Sequence, residues 1–344
     1  MTVPEALARL LARRGLSETE STALWDRVLA GEVTPAQLGA LLVALRMKGE
    51  TVDELAGAVR ALRARATPVP DVPPGAIDTC GTGGDGAGTF NVSTAAALVV
   101  AAAGVPVAKH GNRAMSGAVG GADVLEALGV TIALPPQALA ACIRHVGFAF
   151  LFAPALHPGL RHAAAVRREL GVRTLFNLVA PLANPAGVRR QLVGVADPAR
   201  VEQLAAVLAR AGAERAWVVS GQDGLDELGL EGESRVAELR DGVVRVWTLR
   251  AQEVGLAPAP AAALRVTSAA ESARRVRAVL EGEPGPARDV VCLNAGAALV
   301  VAGVVADLAA GVARAAAAID AGAARAVLER LIAFTAAARA EAAP

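Results

Sequence analysis

Apolar and polar positions over the first 66 residues alternate with a helical period, as in Leu38, Leu41, Leu42 and Leu45. Four helix starts are marked alike. Thr2 with Glu5, Ser17 with Glu20, Thr34 with Gln37 and Thr51 with Glu54 each set a hydroxyl three residues before an acid or amide. At that spacing the two side chains satisfy backbone donors left open in a first helical turn. Pro35 falls at a first helical position, where its missing N–H costs nothing. The pattern predicts a small all-helical domain over residues 1–66, suited to packing and to self-association. Residues 67–75, TPVPDVPPG, interrupt it with prolines and predict a linker.

After the linker the period changes. Short apolar runs at 76–80, 105–109 and 130–134 read as strands. Alanine-rich segments from about Ser93, over 122–128 and from Pro136 read as helices. A further strand is expected over 216–220. The runs 235–239 and 243–249 flank Asp241-Gly242 and predict a hairpin. Residues 311–340 predict a terminal helix pair. Such alternation predicts an α/β domain over residues 76–344 with a mostly parallel central sheet. Separately, helices from about 160–190 are expected to join the N-terminal helices. Ligands of such sheets bind at the carboxyl ends of the strands.

Composition narrows the class. The chain has 344 residues, 54% hydrophobic and 19% charged, which supplies a core and excludes a disordered protein. A net charge of +1 argues against nucleic acid or an anionic membrane as the main partner. Cys80, Cys142 and Cys292 are odd in number and form no CxxC pair, so a reducing compartment fits. Glu5 and several arginines interrupt the first apolar stretch, unlike a signal peptide. No run resembles a membrane helix. A soluble cytoplasmic protein is expected. Lysine occurs twice, at Lys48 and Lys109, and asparagine five times, so each one stands out.

Four segments carry candidate chemistry. In Asp78-Thr-Cys-Gly-Thr-Gly-Gly-Asp85 and on to Thr94, a strand runs through a glycine-rich loop into a helix start. Glycines let N–H groups approach phosphate oxygens, and the helix start adds positive charge. Such loops are also ordinary turns. Gly81-x-Gly83-x-x-Gly86 matches a dinucleotide fingerprint, but the helix begins too late and no acid follows near residues 100–111. No Gly-Lys-Ser/Thr follows, so the Walker pattern fails too. The second segment, Lys109-His110-Gly111-Asn112-Arg113, ends the next strand beside that loop and suits a polyanion. The third, residues 150–185, carries His157, His162, Arg161, Arg167 and Arg168 on a helix expected from His157-Pro158, then a proline-broken stretch through Pro181, Asn184 and Pro185. Its histidines lack zinc-ligand spacing. The fourth, residues 221–227, offers Asp223, Asp226 and Glu227 as hard oxygen ligands suited to Mg2+. Taken alone, adjacent acids are common surface charges.

Taken together, these segments resemble the anthranilate phosphoribosyltransferases of tryptophan synthesis. The resemblance runs from about residue 2 to 335 and rests on GTGGD, NVST, KHGNR, ADVLEALG, RxxLGxRTxFN, PLxNP, GLDE and the Leu293-Asn294 stretch. Pyrimidine nucleoside phosphorylases share this fold but lack KHGNR and the GLDE pair. The resemblance implies 5-phosphoribosyl 1-diphosphate as donor and anthranilate as acceptor. It implies that Gly81, Gly84, Asp85, Thr89, Asn91, Val92, Ser93 and Thr94 hold the diphosphate. It implies that Lys109, His110, Gly111, Asn112, Arg113, Ala114, Met115, Ser116, Gly117 and Gly121 reach the donor. Gly81, Asn112 and Arg167 are then expected to contact anthranilate, with His110, His157 and Pro181 lining its path. Ser93, Asp226 and Glu227 are expected to bind Mg2+, and a homodimer through the N-terminal helices is implied. Gly117 and Gly121 depart from the family pattern, which has serines there. A nucleoside phosphorylase and a non-catalytic nucleic-acid binder are the competing readings. Mg2+ dependence separates the first, and the near-neutral charge disfavours the second.

Overall fold

The structure is a computed structural model and describes residues 1–114, 119–222 and 224–341. The N-terminal helices are α1 (Val3–Leu11), α2 (Glu18–Ala30), α3 (Pro35–Lys48) and α4 (Val52–Ala64). All four expected capping boxes form, each with both reciprocal hydrogen bonds. α2 and α4 approach closely at Gly57, where a Cβ would lie 2.5 Å from the Glu18 carbonyl oxygen and 2.6 Å from Ser21 Cβ. Residues 67–75 connect onward and are tied down. Thr67 N–H donates to the Leu156 carbonyl at 2.8 Å and Val69 N–H to that of Pro185 at 3.2 Å.

The α/β part begins with β1 (Ile77–Gly81), α5 (Val92–Ala102), β2 (Val107–Gly111), α6 (Gly121–Ala127), α7 (Pro136–Val146) and β3 (Phe148–Phe152). A short α8 (Ala153–Leu156), α9 (Arg161–Leu170) and α10 (Leu175–Val179) cross toward the N-terminal helices. β4 (Arg190–Gly194), α11 (Val201–Arg210) and β5 (Arg215–Ser220) return to the sheet, followed by the hairpin β6 (Glu233–Arg240) and β7 (Val243–Arg250). Four helices close the chain: α12 (Ala269–Leu280), α13 (Pro286–Ala302), α14 (Leu308–Asp320) and α15 (Ala323–Glu341). The strand order is β3-β2-β1-β4-β5-β6-β7, parallel through β5 and antiparallel over the hairpin.

Two expectations need correction, and one strand was not foreseen. Residues 130–134 bury Val130, Ile132 and Leu134 with a strand's period but do not join the sheet. The Thr131 N–H goes instead to Thr335 Oγ1 on α15, at 3.2 Å, and β3 takes the place beside β2. β4, the central strand beside β1, went unread because Arg190 and the buried Gln191 leave it few apolar residues. α9 starts at Arg161, after a 3-10 turn over Pro158–Leu160, and not at His157-Pro158.

Alternating strand residues feed two cores, one on each face of the sheet. Ile77, Val107, Leu192 and Val219 pack with α5, α13 and α15. Cys80, Val193, Ala216 and Val218 pack with α1 to α4 and with α9 to α11. The second core therefore mixes the N-terminal helices with residues between 163 and 183.

Candidate active site

At the carboxyl ends of β1 and β2 a cavity of about 480 Å3 opens between the sheet and the α9–α10 region. The glycine loop forms one wall. Gly83, Gly84, Gly86 and Gly88 all have φ between 62° and 70°, a region that costs a side chain dearly and glycine little. Asn91 then caps α5, its Oδ1 accepting the Thr94 N–H at 3.1 Å.

Asp226 and Glu227 lie across this loop. Asp226 Oδ2 accepts the Gly83 N–H at 2.7 Å, and Glu227 Oε1 accepts the Ser93 N–H at 3.1 Å. Two glycines make room for them. Gly81 and Gly194 are register partners at the ends of β1 and β4. A Cβ at Gly81 would collide with Asp226 Oδ2, and one at Gly194 with the Asp226 carbonyl oxygen. Asn294 on α13 holds the same segment from behind. Its Oδ1 accepts the Leu228 N–H and its Nδ2 donates to the Leu228 carbonyl, both at 3.0 Å. Burial raises the pKa of Asp226 to about 6, and the nearby Asp85 charge adds to the rise. Glu227 is pushed well up by burial and by Asp226.

Adjacent half-buried carboxylates repel one another, and Ser93 Oγ and Asp85 stand beside them. Among the described residues no group of three His, Cys, Asp or Glu side chains could hold a metal ion unaided. The donor set fits Mg2+, which commonly takes one or two carboxylates and fills its sphere with water and phosphate oxygens.

Lys109 is buried in the middle of β2, its Nζ on the Thr79 carbonyl and on Ser93 Oγ at 3.0 Å. Burial lowers its pKa, opposed by the charge of Asp78. Asp78 is fully buried, and burial raises its pKa to about 6. It accepts the His110 N–H at 3.0 Å and Asn184 Nδ2 at 2.8 Å. Asn184 also donates to the Ala108 carbonyl at 2.8 Å, so a buried network ties β1, β2 and the proline-broken stretch together. Sequence reasoning assigned Asp78, Asn184 and Asn294 no role, although scarcity already singled out both asparagines.

The opposite wall carries Arg167, Phe176, Asn177 and Pro181. The Arg167 guanidinium lies 5.4 Å from the Phe176 ring centre, and burial lowers its pKa. His110 faces the cavity, and its Nε2 lacks a partner among the described residues. Burial, with His157 adding, pushes its pKa well down, so the ring is neutral.

Most of the expected residues meet here: Gly81, Gly84, Asp85, Thr89, Asn91 to Ser93, Lys109 to Ala114, Gly121, Arg167, Pro181, Asp226 and Glu227 all border the cavity. Two are placed otherwise. Thr94 is fully buried behind the wall, its Oγ1 without a partner among the described residues and its N–H taken by Asn91. His157 does not line the path but sits behind His110, ring centres 5.0 Å apart, with its pKa brought down to about 4 by burial. Arg113 reaches the rim, yet its guanidinium is engaged by Glu126 at 2.8 Å and Asp123 at 3.0 Å. Met115, Ser116, Gly117 and Asp223 lie outside the described residues.

Residues 4–66 match the helical bundle domain of the glycosyl transferase family, and residues 73–325 match its a/b domain. Fold and site thus define a glycosyl transferase built from these two parts. An anthranilate phosphoribosyltransferase of Myxococcus xanthus is 53% identical over 333 residues, spanning 96% of this chain and 98% of that one. The crystal structure of anthranilate phosphoribosyltransferase from Thermus thermophilus superposes with a TM-score of 0.91 at 46% identity, covering 96% of this chain and 99% of that one. The Saccharomyces cerevisiae enzyme in complex with PRPP and Mg gives 0.89 at 25% identity, covering 97% and 98%. The chain belongs to the anthranilate phosphoribosyltransferases.

Proposed function

We propose that this chain transfers the phosphoribosyl group of 5-phosphoribosyl 1-diphosphate to the amine of anthranilate, a step of tryptophan synthesis. The observation that carries the reading is the two-sided cavity. A glycine loop with Asp226 and Glu227 forms one wall, and a cationic, partly aromatic wall with Arg167 faces it.

The arylamine is neutral at pH 7 and attacks C1 of the donor without a strong base. A C–N bond forms, the C–O bond to diphosphate breaks, and the amine proton leaves to solvent. The chain therefore needs no acid/base set; it must align the reactants and answer the charge of the leaving group. Alignment alone can contribute ~7–11 kcal/mol. Gly81, Gly84, Asp85, Thr89 and the start of α5 would hold the diphosphate, with Lys109 near it. Arg167 and Asn112 would orient the acceptor, and neutral His110 with Pro181 would shape its slot. Ser93, Asp226 and Glu227 would hold Mg2+, which supplies charge neutralisation on the diphosphate.

A homodimer through the N-terminal helices is part of the reading. It is supported by the exposed Val43, Met47 and Val172 around one shallow apolar groove. A cytoplasmic location is supported by three buried free thiols. Among the described residues no helix is long and apolar enough to cross a membrane.

The site assignment is tested by Asp226→Asn with Glu227→Gln. The double variant is expected to fold as the wild type does, by circular dichroism, and to lose Mg2+-dependent turnover. Unchanged turnover at limiting Mg2+ would remove both residues from the metal site.

A further inference from the structure

Arg173 lies in the turn between α9, which carries Arg167, and α10, which carries Asn177. Its guanidinium crosses to the glycine loop. Nη1 donates to the Gly84 carbonyl at 2.9 Å and Nη2 to the Thr82 carbonyl at 3.2 Å. Between those carbonyls the Gly83 N–H is held by Asp226 at 2.7 Å. Three successive residues of the loop are therefore gripped from two sides. The loop needs such a grip, because its glycines sit in a region they can leave cheaply. A carbonyl held by a cation also cannot swing toward an anionic ligand.

We propose that Arg173 is a positioning residue that sets the backbone of the donor-binding glycine loop from the acceptor side of the cavity. The planar fork suits this role, because two parallel donors reach two carbonyls, which a lysine's single ammonium cannot fix in the same way. Because the same turn joins the helices bearing Arg167 and Asn177, the grip also ties acceptor wall to donor wall. The inference rests on the reading of this loop as the diphosphate cradle.

Arg173→Met and Arg173→Lys test it, with thermal midpoints confirming the fold. Hydrogen exchange of residues 82–85 is followed in the ligand-free protein, and binding of 5-phosphoribosyl 1-diphosphate with Mg2+ by calorimetry. Both variants are expected to speed loop exchange and to weaken donor binding about tenfold, the scale of a hydrogen bond to a charged group. The KM for anthranilate should stay within about twofold, since Arg167 is untouched. Weaker binding with unchanged loop exchange, or rescue of binding by lysine alone, would make Arg173 a direct charge partner of the donor and overturn the proposal. Unchanged exchange and binding would also overturn it. A wild type that binds no donor would instead defeat the reading of the cradle, while the exchange data still decide whether Arg173 grips the loop.

Discussion

Arg167 is held half-buried over Phe176 on the wall proposed to take the acceptor, and burial has already lowered its pKa. Such a cation gains most from a carboxylate that enters the cavity. Arg167→Ala is expected to raise the KM for anthranilate about tenfold or more and the donor KM far less, as steady-state kinetics would show. Equal effects on both would take Arg167 out of the acceptor site. His157 bears on stability instead. Its native pKa is about 4 against an ordinary 6.5, so the unfolded chain binds the proton first as pH falls. The stability it contributes is whole above about pH 6.5 and is lost toward pH 4, a span worth about 3 kcal/mol. Asp78, raised to about 6, works in the opposite sense below that pH. The comparison is therefore made between wild type and His157→Leu, whose urea-unfolding free energy should fall less steeply from pH 7 to 4.5. Parallel slopes would contradict it. Residue types and spacing were enough to single out most of the residues that the fold gathers around one cavity. They could not tell a side chain lining the cavity from one packed a layer behind, as with Thr94 and His157.

At the scale of elements, legibility followed local rules. The four capping boxes and the Asp241-Gly242 hairpin are short-range devices, and each formed as read. Residues 130–134 kept the period of a strand but found α15, because the period tells which side chains are buried and not what covers them. The glycines that let elements touch were also silent in the sequence. Gly296 and Gly311 face each other where α13 crosses α14, and Gly81 pairs with Gly194 beneath Asp226. Only the assembled sheet shows why those positions must be bare. Gly194→Ala would push the Asp226 segment off the strand ends. Turnover is expected to fall on the order of 100-fold, the cost of a misplacement near 1 Å, while circular dichroism stays native. Near-normal turnover would show that the segment can give way.

For the molecule as a whole, the placement of the cavity follows from the topology. β1 is flanked by β2 and β4, so its carboxyl end is where the glycine loop, Lys109 and the turn after β5 converge. The chain between β3 and β4 leaves the sheet to pack with the N-terminal helices and brings Arg167 back over the opening. One wall thus belongs to the sheet and the other to the helices. On the proposed reading that division would give a polyanionic donor and a small aromatic acid separate surfaces facing one reaction point. On the same reading a near-neutral protein would bind such a donor because the charge is local: Lys109, the N–H groups of the loop and a cation that Asp226 and Glu227 would hold. The most direct test follows the fluorescence of anthranilate in the purified protein with 5-phosphoribosyl 1-diphosphate, with and without Mg2+. A fluorescence loss that requires both donor and Mg2+ is expected. No loss under any of these conditions, with thymidine or uridine cleaved by inorganic phosphate instead, would contradict the assignment of donor, acceptor and metal together.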